Sequence, residues 1–467
     1  MSIEEMILKL KEKSIIIEEL ASYLSLKGNI KHLIMNAAGD EPLIKVNYML
    51  MVNYPYEILK GFSLAMDIFG IEEGVIASKV TDKGAIESLE GNLDLFKNIR
   101  VEKIKDVYSL WDKEVLAYEV IKDNTTKEKG DMLVLTPETC LDIYNAIIED
   151  KVAVDTFLTI GGAVEKSLTV KVPVGLKVKD ILSSVSEIKI EDYMILIGGP
   201  MTGKIGTKES VITRATKGIL IFPKNKKICQ SRKNEYSKLK KQVLSTCSQC
   251  GICTKLCPRY QLGYDIQPHK IMSTLMYGDN YLNMMGVFSC SQCNLCTLYS
   301  CPQDLNPMRI IKNLKIKLQE KGLESIYKLN ELSKNSGIKV RKDQSKVSNK
   351  LLKQRLGLVE YDKEAPLEQI EFLSNNYYID LNQKQGMKYM PCIKIGEKVS
   401  KNQIIAQLTV KRDTGTKTIE DNEFNNKNEV RGDSGYSKEL TMALYSPIKG
   451  KVLEISEKYI FIKKGEF

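Results

Sequence analysis

Strand and helix patterns alternate along the first 150 residues. Short apolar runs at His32–Met35, Gly74–Ser78 and Asp131–Leu135 have the length and composition of buried strands. Between them, apolar residues recur at helical spacing, as in Lys83–Leu89. Because strands that alternate with helices favour a layered α/β fold, residues 1–150 are predicted to form an α/β unit.

The pattern changes three times in the rest of the chain. After residue 150, β-like runs are separated by Gly and Pro, and a short helix is predicted at Val178–Val185, which indicates a small β-rich α+β unit. A helical region then carries most of the cysteines, and a polar linker without apolar period leads into a second β-like region. The predicted bounds are 151–224, 225–330, 331–350 for the linker, and 351–467 with a long polar loop at 411–438.

Composition and charge narrow the possible classes of function. The 467 residues are 43% hydrophobic and 27% charged, which is typical of a globular protein with several domains. The net charge of +10 is modest and no RNA-binding motif or zinc finger is present, so we expect no nucleic-acid partner. The charge-free stretch 280–303 is weakly apolar and contains four cysteines, so we expect no membrane span. The N-terminus lacks a signal-peptide pattern, which favours a cytoplasmic location.

Eight of the eleven cysteines form two tightly spaced runs. The first run is C-x2-C-x2-C-x3-C-P, the bacterial ferredoxin pattern, and the second has one extra residue before its last cysteine. In this pattern three thiolates bind one [4Fe–4S] cluster and the fourth, before proline, binds the other cluster. We therefore predict cluster I on Cys247, Cys250, Cys253 and Cys301, and cluster II on Cys290, Cys293, Cys296 and Cys257.

Other interpretations of these motifs fit less well. Two structural zinc sites are the alternative for the cysteines, but zinc sites usually pair two C-x2-C knuckles. Gly198–Ile205 is close to a phosphate-binding P-loop, yet Ile205 stands where Ser or Thr must hold magnesium, and strands are predicted at Val211–Thr213 and Gly218–Phe222 in place of the helix. The remaining cysteines are predicted to be small buried side chains: Cys140, Cys229 and Cys392.

Four segments of the sequence resemble one family of electron-transfer proteins. They are Asn36–Pro42 (N-A-A-G-D-E-P), Ile197–Gly203 (I-G-G-P-M-T-G), the cysteine region with Cys257–Gly263 (C-P-R-Y-Q-L-G), and Ser446–Val452 (S-P-I-K-G-K-V). On these residues the chain resembles the family of RnfC electron-transport proteins and PduS-type cobalamin reductases. The resemblance implies a Rossmann-like α/β domain of the complex I flavin-subunit type, a β-grasp (SLBB) domain, a helical dicluster ferredoxin domain and an all-β barrel-sandwich hybrid.

The same resemblance implies a nucleotide site, but one segment departs from it. In the family, the turn at Asn36–Pro42 contacts flavin and nicotinamide nucleotide, which makes Asn36 and Glu41 weak candidate ligands for FMN or NADH. The family's glycine-rich flavin-phosphate loop corresponds to Ile16–Tyr23, which has no glycine and two carboxylates. Side chains there would block close backbone approach and the carboxylates would repel a phosphate. We therefore do not expect FMN to bind in the family's way, and the departure also counts against NADH.

The sequence thus predicts a soluble protein that passes electrons through two [4Fe–4S] clusters. In the version closest to PduS, the donor is NADH acting through a flavin and the acceptor is a partner reductase or a corrinoid, which would make the chain an NADH-dependent oxidoreductase. The alternatives are a non-enzymatic relay or adaptor that docks a separate flavoprotein, reductase or corrinoid enzyme, and an Rnf-type protein that associates with a membrane complex. The resemblance also leaves open a location inside a bacterial microcompartment. No catalytic residue is assigned.

Overall fold

The computed structural model describes residues 1–13, 15, 30–121, 132–233, 236–275, 281–325, 327, 346–382, 388–411 and 439–465. The strands are β1 His32–Asn36, β2 Gly74–Lys79, β3 Ile99–Ile104, β4 Met132–Leu135, β5 Asp155–Gly162, β6 Leu168–Pro173, β7 Tyr193–Ile197, β8 Lys204–Gly206, β9 Gly218–Pro223, β10 Leu367–Glu368, β11 Asn376–Asp380, β12 Met390–Pro391, β13 Lys398–Val399, β14 Ile404–Lys411, β15 Glu439–Tyr445, β16 Gly450–Ile455 and β17 Tyr459–Lys464. The α-helices are α1 Ile3–Glu12, α2 Val46–Asn53, α3 Pro55–Phe69, α4 Lys83–Glu90, α5 Lys113–Ile121, α6 Pro137–Ile147, α7 Val178–Val185, α8 Lys227–Lys233, α9 Tyr236–Thr246, α10 Ile252–Lys255, α11 Pro258–Gln261, α12 Pro268–Thr274, α13 Pro307–Glu320 and α14 Asn349–Arg355.

The first sheet is entirely parallel and has the strand order β3-β2-β1-β4. Helix α3 is amphipathic and buries Ile58, Phe62 and Ala65 in the core. Helices α3 and α6 cross closely at Gly61, where a Cβ atom would lie 1.9 Å from the carbonyl oxygen of Cys140. The alternating pattern of the sequence therefore predicted this α/β unit correctly, since a parallel sheet needs helical crossovers.

The second sheet is mixed, with the order β10-β6-β5-β9-β7-β8. Helix α7 packs on it through Val178, Ile181 and Leu182, as the sequence predicted. Strand β10 comes from much later in the chain and pairs in parallel with β6. The expectation of a strand at Val211–Thr213 is wrong, because that segment forms only an isolated bridge between Lys177 and Val211.

Short helices form the cysteine-rich region, and β-strands dominate the C-terminal region. The helices α9 and α13 pack through Leu239, Val243, Leu314 and Leu318. The C-terminal strands form two sheets, β11-β17-β16-β13 and β12-β14-β15. Helix α14 begins inside the predicted linker, and most of the predicted loop 411–438 lies outside the described residues.

Two further predictions concern membrane spans and the three cysteines outside the two runs. In the part of the chain that is described, no helix has the length and apolar character needed to cross a bilayer. Cys140 and Cys229 are buried as predicted, but the prediction for Cys392 is wrong because its side chain is exposed. Cys392 follows β12, a two-residue strand at the edge of its sheet. Among the described strands, β12 pairs only with β14, so no further strand covers Cys392.

Candidate iron–sulfur site

The two cysteine loops repeat the same unusual backbone conformation. Gln249 and Gly251 in the first loop have φ of 54° and 74°, and Gln292 and Asn294 at the corresponding positions of the second loop have φ of 60° and 64°. Left-handed residues that alternate with right-handed ones turn successive N–H groups toward one side, which forms an anion-binding concavity of the kind found at Fe–S sites. Both loops are therefore shaped to surround an anionic group.

The four cysteines predicted for cluster I lie around one cavity. Cys247, Cys250, Cys253 and Cys301 all line it, together with His269, Met272, Pro302 and Pro307. A 2.6 Å hydrogen bond joins the Nδ1 atom of His269 to the hydroxyl of Thr254, which fixes the ring at the cavity wall. Cys250 is exposed and Cys301 is buried, so the cavity opens to solvent on the side of the first loop.

The four cysteines predicted for cluster II lie together in a more enclosed place. Burial raises the pKa of Cys257 and of Cys296, and the neighbouring thiols of Cys293 and Cys290 raise both further. Burial also raises the pKa of Cys293 to about 12. Burial thus favours the protonated thiols, and the positive charge of bound iron would offset this effect by favouring the thiolates.

A single helical turn connects the two groups of cysteines. Cys253 and Cys257 flank the end of α10, and a hydrogen bond of 3.0 Å runs from the Cys257 N–H to the Thr254 carbonyl. Four residues at the helical rise place their α-carbons about 6 Å apart. Among the described residues, no group of three or more His, Cys, Asp or Glu side chains meets the geometry of a site for a single metal ion.

The α/β unit covers the loop of cluster II. The Tyr108 hydroxyl donates a buried 2.7 Å hydrogen bond to the carbonyl of Cys293. Two residues after Cys257, the Arg259 guanidinium binds Asp112 through two hydrogen bonds of 2.7 Å, and the Asp112 side chain is only 2% exposed. The segment after β3 thus fastens the cysteine region to the parallel sheet.

Asn36 and Glu41 lie at the carboxyl end of β1, where α/β sheets commonly bind ligands. The Asn36 amide donates a 2.8 Å hydrogen bond to the Leu110 carbonyl. Glu41 accepts hydrogen bonds from the N–H groups of Met201 at 2.8 Å and Thr202 at 3.2 Å, and from the Thr202 hydroxyl. The Ile197–Gly203 turn therefore donates to both carboxylate oxygens of Glu41. The predicted phosphate loop Ile16–Tyr23 lies outside the described residues.

The Ile197–Gly203 turn connects three parts of the chain. Arg232 donates hydrogen bonds to the carbonyls of Pro200, Met201 and Gly203 at 2.8, 3.0 and 2.9 Å. The Asn294 amide, one residue after Cys293, donates a 2.9 Å hydrogen bond to the Met201 carbonyl. The sequence pattern does not reveal this connecting role. It also misses Arg232, Asn294, Tyr108 and Asp112, because no local motif marks a residue whose partner lies tens of residues away.

Comparisons with known proteins agree with this architecture. The family described as the Nuo51 FMN-binding domain matches residues 21–143, and the family described as a 4Fe-4S dicluster domain matches residues 246–306. The cobalamin reductase PduS of Salmonella typhimurium is 28% identical over 395 residues, which span 83% of this chain and 86% of that protein. The chain is a PduS-like, RnfC-like iron–sulfur electron-transfer protein.

Two other proteins are similar to this chain at lower sequence identity. One component of the Na(+)-translocating ferredoxin:NAD(+) oxidoreductase complex of Acetobacterium woodii is 24% identical over 237 residues, 48% of this chain and 49% of that protein. A chain of an NAD+-reducing [NiFe]-hydrogenase superposes with a TM-score of 0.45 at 12% identity, and the match covers 73% of this chain and 68% of that chain. The dicluster match at residues 246–306 includes every one of the predicted cysteine ligands, from Cys247 to Cys301.

The contact between Glu41 and the turn leads to a first prediction. Glu41→Gln keeps the shape of the side chain but removes a charged acceptor, so the free energy of unfolding should fall by about 1.5–3 kcal/mol while any NADH affinity stays unchanged. Denaturant titration and nucleotide binding measured on the same samples test this. The exposed Glu73→Gln is the matched control, and an E41Q variant that loses NADH affinity at full stability would contradict the assignment.

Gly199 gives an independent check of the same contact. A Cβ atom at this position would lie 2.2 Å from a carboxylate oxygen of Glu41, so Gly199→Ala must displace the carboxylate. The double variant G199A/E41A should therefore lose less stability than the sum of the two single variants, because the 2.2 Å clash with the carboxylate is removed and only the 2.7 Å approach to the Cβ atom of residue 41 remains.

Asp40 is expected to make folding depend on pH. Its carboxylate accepts a 2.8 Å hydrogen bond from the N–H of Asn47, and burial raises its pKa from 3.8 to about 6 although Lys79 opposes the rise. The folded state therefore holds this proton more tightly than the unfolded state, and its contribution to stability is lost as the pH rises from about 4 through 6. Relative to the wild type, Asp40→Asn should gain up to about 3 kcal/mol between pH 4 and pH 7.5. Unfolding titrations at a series of pH values measure this, and parallel curves for the two proteins would exclude it.

Proposed function

We propose that this chain is a two-cluster electron relay, which takes electrons from a reduced donor and delivers them one at a time to a partner reductase or a corrinoid. The observation that carries the proposal is the pair of cysteine loops with matching left-handed residues, joined by the turn Ile252–Lys255. When bound, the [4Fe–4S] clusters supply one-electron redox chemistry; the protein supplies the thiolates, the inward N–H groups and the short separation.

The eight cysteines are assigned to two cages as the sequence predicted. Cluster I would be held by Cys247, Cys250, Cys253 and Cys301, whose side chains surround one cavity. Cluster II would be held by Cys290, Cys293, Cys296 and Cys257, which lie close enough that the thiols of Cys293 and Cys290 raise the pKa of Cys257 and of Cys296, after the larger effect of burial. The donor set of eight soft sulfur atoms fits iron–sulfur clusters in its chemistry.

We assign the four regions to the family's domain types on the basis of their sheets. The parallel order β3-β2-β1-β4 supports a Rossmann-like flavin-type domain at 1–150, and the mixed second sheet supports a β-grasp domain at 151–224. The helices around the cysteines support a ferredoxin-type domain at 225–330, and the two C-terminal sheets support a barrel-sandwich hybrid at 351–467. Strand β10 extends the second sheet, so the C-terminal region is anchored on the β-grasp unit.

The relay does not require a flavin on this chain. Glu41 is occupied by the Ile197–Gly203 turn, and Asn36 donates to a backbone carbonyl. We therefore assign no step to FMN or NADH, and propose that a separate flavoprotein or reductase docks as the donor or acceptor. Anaerobic reconstitution tests this: about eight irons per chain with no bound flavin supports the relay, and tight stoichiometric FMN overturns this part of the proposal.

The second candidate is an NADH-dependent cobalamin reductase. The similarity to the cobalamin reductase PduS over 83% of the chain favours it, as does the match to an FMN-binding family at residues 21–143. NADH-driven dye reduction by the purified chain alone separates the two candidates. Activity without a partner supports the reductase, whereas activity only after addition of a partner supports the relay, either in a microcompartment or at an Rnf-type membrane complex.

A further inference from the structure

The two cysteine cages differ in what covers them. The loop of cluster II is fastened beneath the α/β unit by Tyr108 and Arg259, and beneath the Ile197–Gly203 turn by Asn294. The cage of cluster I has an exposed wall formed by Ser248, Gln249 and Cys250 on one side and by Pro302 and Gln303 on the other. Within the described residues, cluster I is therefore the cage that an external protein can approach.

The part of the chain that forms this opening carries an excess of positive charge. Residues 236–321 contain eleven Lys and Arg side chains and four Asp and Glu side chains. Lys255 lies two residues after Cys253, and Lys270 follows His269, which lines the cavity. Both lysines are exposed, and in the part of the chain that the structure describes neither forms an ion pair. The exposed side chains of Lys240, Lys241 and Lys312 continue the charge onto α9 and α13.

The acidic side chains on this surface do not cancel that charge. Asp304 is paired with Lys227, and the other acidic side chains of the described part of 236–321 are the exposed Asp265 and, at the end of α13, the exposed Glu320. Burial of the guanidinium–carboxylate pair Arg259–Asp112 removes only one positive charge from the surface. Clustered charge of one sign beside an opening raises the local concentration of an oppositely charged partner and accelerates its docking by 10–10³-fold.

We propose that the rim of cluster I, marked by Lys255 and Lys270, is the docking surface for a small acidic one-electron carrier protein. This rests on the proposed relay function and specifies its external partner. Electrons pass between the carrier and cluster I without a proton or a bond change, since one centre is oxidised as the other is reduced. Cluster II then lies on the inner side of the path, against the α/β unit.

The test is a charge reversal at the rim with a matched reversal elsewhere. The iron-loaded variants K255E/K270E and K83E/K97E change the net charge equally, and Lys83 and Lys97 are exposed on the α/β unit. A small acidic [2Fe–2S] ferredoxin is the carrier, and a zwitterionic viologen of zero net charge is the neutral reductant. At low salt, K255E/K270E should react with the ferredoxin at least about tenfold more slowly, K83E/K97E should stay within about twofold of wild type, and the viologen rates should be equal.

A second readout does not depend on electron transfer. The affinity of the oxidised ferredoxin, measured by calorimetry, should fall with salt in the wild type, and at low salt it should be reduced in the rim variant alone. The neutral variant K255Q/K270Q should give intermediate values in both assays. It keeps the test decisive if the charge reversal in K255E/K270E impairs cluster assembly. Equal rates and affinities in the two double variants, salt-independent binding, or faster reaction with a basic cytochrome c than with the ferredoxin would overturn the inference.

These outcomes are distinguishable from a failure of the relay itself. Iron content and the reduced-cluster EPR signal are measured for every variant. If the viologen reduces both clusters fully while the ferredoxin does not discriminate between the variants, the docking surface is rejected and the relay stands. If no cluster signal forms in the wild type, the relay is rejected, and the calorimetric comparison still decides whether the rim binds an acidic protein.

Discussion

Replacement of Cys257 with alanine is expected to abolish the same cluster as replacement of Cys290, although 33 residues separate the two positions. Each variant should retain about four of eight irons and should keep the EPR signal of the other cluster. The reason is that each run supplies its last cysteine to the cluster of the other run. The enclosed position of Cys257 beside Cys290 and Cys293 supports this arrangement. Iron analysis and EPR of the dithionite-reduced protein measure the result.

The first run supplies the matched pair. Cys247→Ala and Cys301→Ala should both remove cluster I, because both side chains line the same cavity. The double variant C257A/C290A should then lose no more iron than either single variant, whereas C257A/C301A should lose nearly all of it. If Cys257→Ala removed the same cluster as Cys247→Ala, the cysteines of each run would bind one cluster and the exchanged arrangement would be wrong.

Asp112→Ala is expected to detach the cysteine region from the α/β unit. The substitution removes both short hydrogen bonds of the Arg259 guanidinium, which is 17% exposed, and leaves it only the 4.0 Å contact with Glu114. Loss of one member of a buried ion pair typically costs about 3–5 kcal/mol, since the remaining charge is not solvated. Denaturant unfolding followed by the fluorescence of Trp111, the single tryptophan of the chain, reports this interface directly.

Two controls separate the ion pair from general damage. Glu90→Ala breaks the exposed pair with Lys103, whose side chains are 42% and 51% exposed, and should cost less than about 1 kcal/mol. The double replacement D112L/R259M removes both charges and should recover most of the stability lost by Asp112→Ala. If D112L/R259M were as unstable as Asp112→Ala, lost packing rather than the unpaired charge would explain the effect.

Glu41 shows what a local pattern leaves open. The resemblance made it a candidate nucleotide ligand on the strength of a seven-residue turn, and the structure places it on the Ile197–Gly203 turn. The local pattern cannot distinguish the two, because a carboxylate that binds a ligand and one that binds backbone N–H groups occupy the same position after β1. Only the fold, which brings a turn 160 residues away against it, decides which acceptor role the side chain has.

The sequence alone determined what depends on neighbours along the chain. Hydrophobic period identified the α/β unit, helix α7 and strands β1, β2, β4 and β9, and cysteine spacing identified the iron–sulfur chemistry, since a loop of a few residues fixes three ligands at once. The tertiary structure decided what depends on distant segments: the exposure of Cys392, the pairing of β10 with β6, the cover over the second cysteine loop and the exposure of the first cysteine loop. Burial and long-range pairing arise from how separate elements pack, and no local spacing encodes them.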